Sequence, residues 1–241
     1  MKNVAFILYT HSEYSDVWET FFGQTEKFLD KSYKKYVFVD KGESLFEIPD
    51  DYTVVHYEND MKYTDRFSHC LEQVKEDVCI FQHEDMFLYR KPDEKRLSTY
   101  LNVLKENDNL DFIKLLKGGD VDDEPLEGYT GLFKCKEWLM VIQPTLWKVG
   151  KLKQVFAAFL DYGIWDLERD AQEKCKKMGI KGVYCYNGEA QRGSHHWDSD
   201  TYPYVATAIC KGKWNTKEYA CELEEVFHEY GIDRMERGFV V

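Results

Sequence analysis

The first half of the chain alternates short apolar runs with amphipathic segments. Apolar runs cover residues 3–10, 36–40, 52–57 and 77–88, lengths that are typical of buried strands. In segment 17–28 the apolar residues recur every three or four positions, which predicts an amphipathic helix. This order of strands and helices predicts an α/β fold with a Rossmann-type open mixed sheet flanked by helices.

The second half continues the alternation less regularly. Helices are predicted over 62–74, 92–107, 149–162 and 216–230, with a long charged helix ending near residue 178, and strands over 110–116, 138–142 and 183–186. Segment 117–125 has no periodicity and four acids whose spacing does not match a calcium loop, so it is predicted to be a solvated, mobile loop. No repeat or linker divides the chain, which favours a single domain over 1–241.

The strand predicted over 77–88 ends in three polar residues, His83, Glu84 and Asp85. The carboxyl ends of strands in an open α/β sheet meet at one edge, where ligands bind. Two adjacent carboxylates repel each other and lose hydration on burial, so a bound divalent cation is one good reason to keep both. A strand end that turns into solvent would also account for them.

The helix predicted over 62–74 carries Arg66 in its first turn. Free backbone N–H groups at a helix start and the fork of a guanidinium both attract phosphate. We therefore expect Arg66 to contact an anion, although an arginine paired with a neighbouring surface acid would show the same pattern.

Composition and charge limit the classes of partner that the protein can bind. The formal net charge of −12, with no basic patch, disfavours nucleic acid and anionic membranes. Seven cysteines without a C-x-x-C pair indicate reduced thiols in a cytosolic protein. No apolar run reaches the roughly 18 residues of a transmembrane helix. We expect a cytoplasmic protein, in the host cytoplasm if it is viral, and make no prediction of its oligomeric state.

In their order along the chain, these segments resemble glycosyltransferases of the GT-A type. The resemblance rests on the strand ending in Tyr9 and Thr10, the acid Asp40 after the second strand, Arg66, and the strand ending in Glu84 and Asp85. Segments 143–148, 165–168 and 212–215 resemble a group of small bacterial and viral sugar transferases. The resemblance implies a nucleotide-diphosphate sugar as donor, bound by a donor half over 1–116, with 117–241 as the acceptor half and C-terminal helix.

The resemblance also implies a divalent metal. In the family an Asp-x-Asp motif binds the metal between the donor phosphates, but here His83 takes the first position, so only Asp85 is carried over. Either Glu84 or His83 then supplies the missing contact, or cations such as Arg66 share the role. Family members often add a late histidine, for which His195 and His196 are the candidates, and an imidazole ligand favours Mn²⁺ over Mg²⁺. Two exposed loop histidines without a ligand role remain the alternative.

The resemblance also implies catalytic and binding residues for a hexosyl- or deoxyhexosyltransferase. An inverting transfer needs a carboxylate that takes the proton from the acceptor hydroxyl, and we expect Glu168 as this base and Asp166 as the residue that positions the acceptor, with the reverse also open. The aromatic side chains expected to contact a glycan, protein or lipid-linked acceptor are Trp165 and Trp147. The expected nucleotide-sugar contacts are Tyr9, Thr10, Asp40, Arg66, Glu84, Lys211 and Lys213.

Three other functions compete with sugar transfer. A sugar nucleotidyltransferase would need a Gly-rich, basic loop after the first strand, where His11, Ser12, Glu13 and Tyr14 stand instead. A non-catalytic nucleotide- or sugar-binding protein would keep the fold with an altered acidic motif, in line with His83. A metal hydrolase on the two late histidines lacks a second ligand pair.

Overall fold

Eight strands of the chain form one mixed sheet. The computed structural model describes residues 3–120 and 122–240. The strands are β1 (Val4–Tyr9), β2 (Lys34–Val39), β3 (Tyr52–His56), β4 (Val78–His83), β5 (Phe112–Lys114), β6 (Leu132–Cys135), β7 (Thr145–Lys148) and β8 (Gly182–Cys185). Their order in the sheet is β3-β2-β1-β4-β7-β5-β8-β6. Only β6 and β7 run antiparallel to the rest, so the carboxyl ends of the other strands share one edge.

Helices flank this sheet, and two small hairpins extend from it. The helices are a 3₁₀ helix (Ser12–Val17), α1 (Trp18–Phe28), α2 (Tyr63–Leu71), α3 (Glu94–Glu106), α4 (Val149–Ala157), α5 (Ile164–Lys177), α6 (Thr216–Tyr230) and α7 (Arg234–Arg237). One hairpin pairs β9 (Gln191–Arg192) with β10 (His196–Trp197), and the other pairs β11 (Ile209–Cys210) with β12 (Lys213–Trp214). No helix in the described part of the chain is long and apolar enough to cross a membrane.

The centre of the sheet is built from the two most apolar segments. Every residue of β1 is buried, and β4 is buried up to Gln82. Their neighbours α2 and α4 close the core through aromatic rings, with Phe67 stacked on Phe156 at a centroid distance of 4.2 Å. The predicted α/β class with a Rossmann-type mixed sheet is therefore confirmed.

The strand predicted over 138–142 is wrong. This segment is irregular, and Trp138 has a left-handed backbone with φ of 52° and an exposed ring. Its N–H groups do not meet a strand, because those of Leu139 and Ile142 donate to the side chains of Gln172 and Glu168, both at 2.8 Å. The strands of this region lie on either side of the segment, at β6 and β7.

Segment 117–125 is only in part the solvated acidic loop that the sequence predicts, since Asp122 and Asp123 are exposed but residues 117, 118 and 120 are buried. Asp120 is buried and lies 3.4 Å from the ammonium group of the buried Lys114. Asp123 lies 2.6 Å from the ammonium group of Lys117. Lys114 and Lys117 thus pair with two of the four acids, and Glu124 pairs with Lys134 and Lys136. Residue 121 lies outside the described residues.

Gly182 in β8 tests the packing of the sheet. A Cβ at this position would lie 2.4 Å from the ring of Phe112, which is fully buried. We expect Gly182→Ala to lower the free energy of unfolding by about 1–3 kcal/mol, measured by urea denaturation, because the ring has no space to move into.

Gly150→Ala in α4 is the matched control, since a Cβ there meets nothing within 4 Å. This variant should keep the wild-type midpoint or exceed it slightly. An unchanged midpoint for Gly182→Ala would contradict the packing of β5 against β8.

Candidate functional site

The two acids of the candidate site follow β4 directly, at the carboxyl edge of the sheet. Glu84 is 8% exposed and Asp85 is half-buried. The chain turns sharply here, because the N–H of Met86 donates to the carbonyl of His83 at 3.0 Å. The buried Gln82 side chain donates to the Met86 carbonyl and anchors the turn to the core. The acids therefore occupy a defined position.

Each acid is held by a different part of the fold. The Trp18 indole donates to the hydroxyl of Thr10 at 2.8 Å, and the nearby Thr10 hydroxyl lowers the pKa of Glu84 against the effect of burial. On the other side, the N–H of Ala208 donates to the Asp85 carbonyl at 3.0 Å, and the nearby N–H of Ile209 lowers the pKa of Asp85 against the effect of burial. The end of β1 and the start of the β11–β12 hairpin thus meet at the acidic pair.

Burial raises the pKa of both carboxyl groups above the ordinary values. For Glu84, repulsion from the adjacent Asp85 adds to this effect. The positive charge of Arg237 opposes it at both acids. A pair that is costly to ionise gains from any cation that binds it, so the arrangement favours a positively charged ligand.

The side chain of His83 packs among aromatic rings, away from the carboxyl groups of Glu84 and Asp85. Its Nε2 lies 3.1 Å from the hydroxyl of Tyr63, and its ring packs at 5.3 Å from that of Tyr9. Burial lowers the pKa of His83 to about 4, so the imidazole is neutral at physiological pH. The acidic motif lacks its first acid, and the sequence offers either His83 or Glu84 to replace that acid as a metal ligand. Glu84 is therefore the better placed of the two.

Tyr9, Thr10 and Asp40 have internal partners, in contrast to the nucleoside contacts predicted for them. Tyr9 is 7% exposed and stacks on Tyr57 at 5.3 Å. The Thr10 hydroxyl accepts the N–H of the Trp18 indole, as described above. Asp40 is buried and accepts hydrogen bonds from the backbone N–H of Ser12 at 2.7 Å and from its hydroxyl at 2.8 Å. The side chains of all three residues are therefore engaged within the fold.

The pKa of Asp40 agrees with a role inside the fold. Burial alone would raise its pKa, but hydrogen bonds from Ser12 and Asn59 and the nearby His11 hold the pKa below its ordinary value. The carboxylate is therefore charged and already saturated with donors, and it ties the loop after β1 to the end of β2.

Three cations predicted to contact the donor lie at this edge without acid partners. Arg66 lies 5.0 Å above the ring of Tyr57 and donates to the carbonyl of Asn59. Lys211 and Lys213 are exposed on the β11–β12 hairpin, next to the segment that binds Asp85. Within residues 3–120 and 122–240, none of the three forms an ion pair. Their charges are thus available to an anionic ligand.

The hairpin that carries the two lysines has a tight turn. Lys211 and Gly212 both have a left-handed backbone, with φ of 52° and 77°. This is the geometry of a two-residue hairpin turn, which glycine adopts without strain. The turn holds Lys211 and Lys213 on either side of Gly212.

Arg237 of α7 contacts the same hairpin, although no sequence pattern predicts a role for it. Its guanidinium forms a two-pronged pair with Asp16 of the 3₁₀ helix, with both N–O distances at 2.5 Å. It also donates to the carbonyl of Gly212 at 3.4 Å. No local pattern marks this residue, because α7 reaches the site only through the folding of the C-terminal segment.

Of the two acids predicted for catalysis, Glu168 is turned inward and Asp166 outward. The N–H of Ile142 donates to the Glu168 carboxylate at 2.8 Å, and burial raises the pKa of this group. Burial raises the pKa of Tyr63, the residue that contacts His83, and the negative charge of Glu168 adds to this effect. Asp166 pairs with Arg169 at 2.9 Å on the exposed face of α5.

The two tryptophans predicted to bind an acceptor lie in opposite environments. Trp165 is 78% exposed at the start of α5, one turn before Glu168. Trp147 is 1% exposed and packs on Phe112 with ring centroids 4.5 Å apart. The prediction for Trp147 is therefore corrected, because its position in β7 places the ring in the core.

The late histidines are not assembled with Asp85 into a ligand set. Nε2 of His196 lies 2.6 Å from the hydroxyl of Tyr219, and burial lowers the pKa of this histidine. His195 is exposed. In the described residues no three His, Cys, Asp or Glu side chains form a group that could hold a metal. A cation at Asp85 would therefore need oxygen ligands from a bound molecule as well.

No protein-family model and no curated protein sequence matches this chain. Many solved structures share its fold. S. aureus TarS aligns with a TM-score of 0.51 and 11% identity, over 97% of this chain and 41% of the TarS chain. CMP:2-keto-3-deoxy-manno-octonic acid synthetase complexed with CTP aligns with a TM-score of 0.50 and 12% identity, over 95% of this chain and 98% of that one. At such identities the likeness shows a GT-A-like fold.

The raised pKa of Glu84 predicts a pH-dependent cost in stability. A carboxyl group whose pKa is higher in the folded state stabilises the fold at low pH and loses this contribution as pH rises through the folded pKa. In EDTA, Glu84→Gln should therefore match the wild type near pH 4 and exceed its free energy of unfolding by about 1–2 kcal/mol at pH 8.

Urea denaturation at several pH values checks this dependence. Glu225→Gln, a change at an exposed residue of α6, is the control. Its free energy of unfolding should differ from that of the wild type by the same small amount at every pH. A constant difference for Glu84→Gln would mean that the carboxyl group is solvated.

Proposed function

We propose that the protein is a glycosyltransferase that moves a sugar from a nucleotide-diphosphate sugar to a carbohydrate-type acceptor, as part of glycan biosynthesis. One observation carries this proposal: two desolvated carboxylates at the carboxyl end of the central strand lie beside a hairpin with two unpaired lysines. Acids and cations at one edge suit a ligand that brings both a metal ion and phosphates.

The donor end of the site is assigned to this cluster. The lysines at 211 and 213, together with Arg66, offer positive charge to the diphosphate. Asp85, with Glu84 behind it, fits a divalent cation whose other ligands are phosphate oxygens, and Mn²⁺ is the ion to test before Mg²⁺. Such a cation would neutralise the charge that develops on the leaving diphosphate.

The acceptor end is assigned to the start of α5. The exposed ring of Trp165 offers a flat face for a sugar, and Glu168 lies one turn further along the helix. A raised pKa suits Glu168 for taking a proton from an acceptor hydroxyl, as an inverting transfer requires. Its hydrogen bond with the N–H of Ile142 orients the carboxylate.

A sugar nucleotidyltransferase is the second candidate. The synthetase complexed with CTP aligns over 98% of its length, so this chain has a similar extent to an enzyme of that class. The loop after β1 weighs against it, since it forms a 3₁₀ helix that carries Glu13 and Asp16 where a triphosphate would need basic groups. Release of pyrophosphate from CTP and a sugar substrate would favour this candidate.

Donor binding should depend on Asp85. With Mn²⁺, at least one of UDP, GDP and CDP, or a sugar conjugate of one of them, should raise the melting temperature of the wild type, because a ligand that binds only the folded state stabilises it. Asp85→Asn should abolish the part of this shift that requires Mn²⁺, measured by differential scanning fluorimetry.

Asp108→Asn is the control, because Asp108 is exposed and lies at the opposite edge of the sheet, before β5. The absence of a shift with any nucleotide would contradict the proposed function. A shift without sugar transfer or donor hydrolysis would instead indicate a non-catalytic binding protein.

Turnover should depend on Glu168 more than on Asp166. Glu168→Gln keeps an oxygen for the N–H of Ile142 but removes the base, so we expect turnover to fall about 10²–10⁴-fold with unchanged nucleotide affinity. Asp166→Asn should cost less than about tenfold, because this side chain points to solvent. Steady-state transfer assays measure both, and a larger loss for Asp166→Asn would exchange the two roles.

A further inference from the structure

We propose that Arg237 binds the diphosphate of the donor, and that Asp16 holds the guanidinium in its place until the donor arrives. This inference rests on the proposed function and adds a residue and a regulatory contact to the same site. It is carried by the way the C-terminal segment is attached to the hairpin beside the acids.

The first step is the docking of the C-terminal segment. The N–H of Trp214 in β12 donates to the carbonyl of Gly238 at 3.0 Å, and the N–H of Val240 donates to the carbonyl of Trp214 at 3.0 Å. Residues 238–240 therefore lie along β12 like an added strand. This pairing fixes the position of α7, which ends one residue earlier.

The second step links the hairpin to the acidic pair. Ala208, directly before β11, donates to the Asp85 carbonyl and accepts the N–H of Asn215 at 2.8 Å. At the turn of the hairpin, the carbonyl of Gly212 accepts from Arg237. Arg237 therefore joins Lys211 and Lys213 around a hairpin whose base is bonded to the acidic turn.

The third step concerns the partner that Arg237 has at present. Its side chain is 16% exposed, and that of Asp16 is 30% exposed, so water and a ligand can reach the pair. The charge of Arg237 lowers the pKa of Glu84 and Asp85 against the effect of burial, which places the guanidinium within electrostatic reach of both acids. A diphosphate carries more negative charge than one carboxylate and offers the same forked geometry, so it competes well for the guanidinium.

A purely structural ion pair between α7 and the 3₁₀ helix is the competing explanation. The two explanations predict different changes in diphosphate affinity when Asp16 or Arg237 is replaced. If Asp16 competes with the donor, its removal should strengthen diphosphate binding, whereas removal of Arg237 should weaken it. If the pair only holds α7 in place, both changes should lower the melting temperature without opposite effects on affinity.

The experiment measures the affinity of the full chain, with Mn²⁺, for the nucleoside diphosphate from UDP, GDP and CDP that binds the wild type, and for the matching monophosphate. We expect Arg237→Ala to weaken diphosphate binding at least tenfold and monophosphate binding less than twofold. Asp16→Asn should tighten diphosphate binding about threefold or more, and Arg237→Lys should recover part of the loss because it restores the charge.

Arg234→Ala is the matched control, since Arg234 lies in the same short helix but pairs with Glu224 at 2.6 Å. It should bind both nucleotides like the wild type. If Arg237→Ala proves unstable, Asp16→Asn and Arg237→Lys still decide the question through their opposite expected effects.

Two results would overturn the inference, and they are distinguishable. Diphosphate affinity that is the same in the wild type, Arg237→Lys and Asp16→Asn would refute the role of Arg237 and leave the proposed function intact. A wild type that binds none of the three nucleoside diphosphates would refute the proposed function and this inference together.

Discussion

Burial of two adjacent carboxylates at the end of β4 is the constraint on which the site depends. A strand this apolar must lie at the centre of the sheet, so the acids that follow it emerge where little water remains. Their ionisation is costly there, and the surrounding contacts reduce that cost: a hydroxyl from Thr10, an N–H from Ile209 and the charge of Arg237. A ligand that brings a cation to this position would relieve the same cost.

The site draws on both halves of the chain. Ala208 before β11 bonds to the backbone of Asp85, and Thr10 at the end of β1 and Arg237 of α7 lower the pKa of Glu84 against the effect of burial. The sequence predicts a donor half over 1–116 and an acceptor half over 117–241, but it also predicts donor contacts for Lys211 and Lys213. In the structure the hairpin that carries Lys211 and Lys213 is bonded to the acidic turn through Ala208 and to α7 through Arg237.

Several polar residues of the edge serve the frame of the site. Asp40 ties the loop after β1 to β2, and His83 and Tyr9 join an aromatic cluster with Tyr63. Because these groups already have partners, they are poorly suited to bind a ligand, and the free cations and the exposed Trp165 are better suited.

The sequence by itself determined the elements with strong local periodicity and the position of the acidic strand end. The central strands β1 and β4, the amphipathic α1 and the bounds of α6 follow from the spacing of apolar residues, because burial acts on each segment directly. Tertiary structure alone decided which side chains lie exposed at the sheet edge that carries Glu84 and Asp85. Trp147 and Thr10 turn inward and Arg237 arrives from the C-terminus, because side-chain direction and long-range hydrogen bonds depend on neighbours that local patterns do not encode.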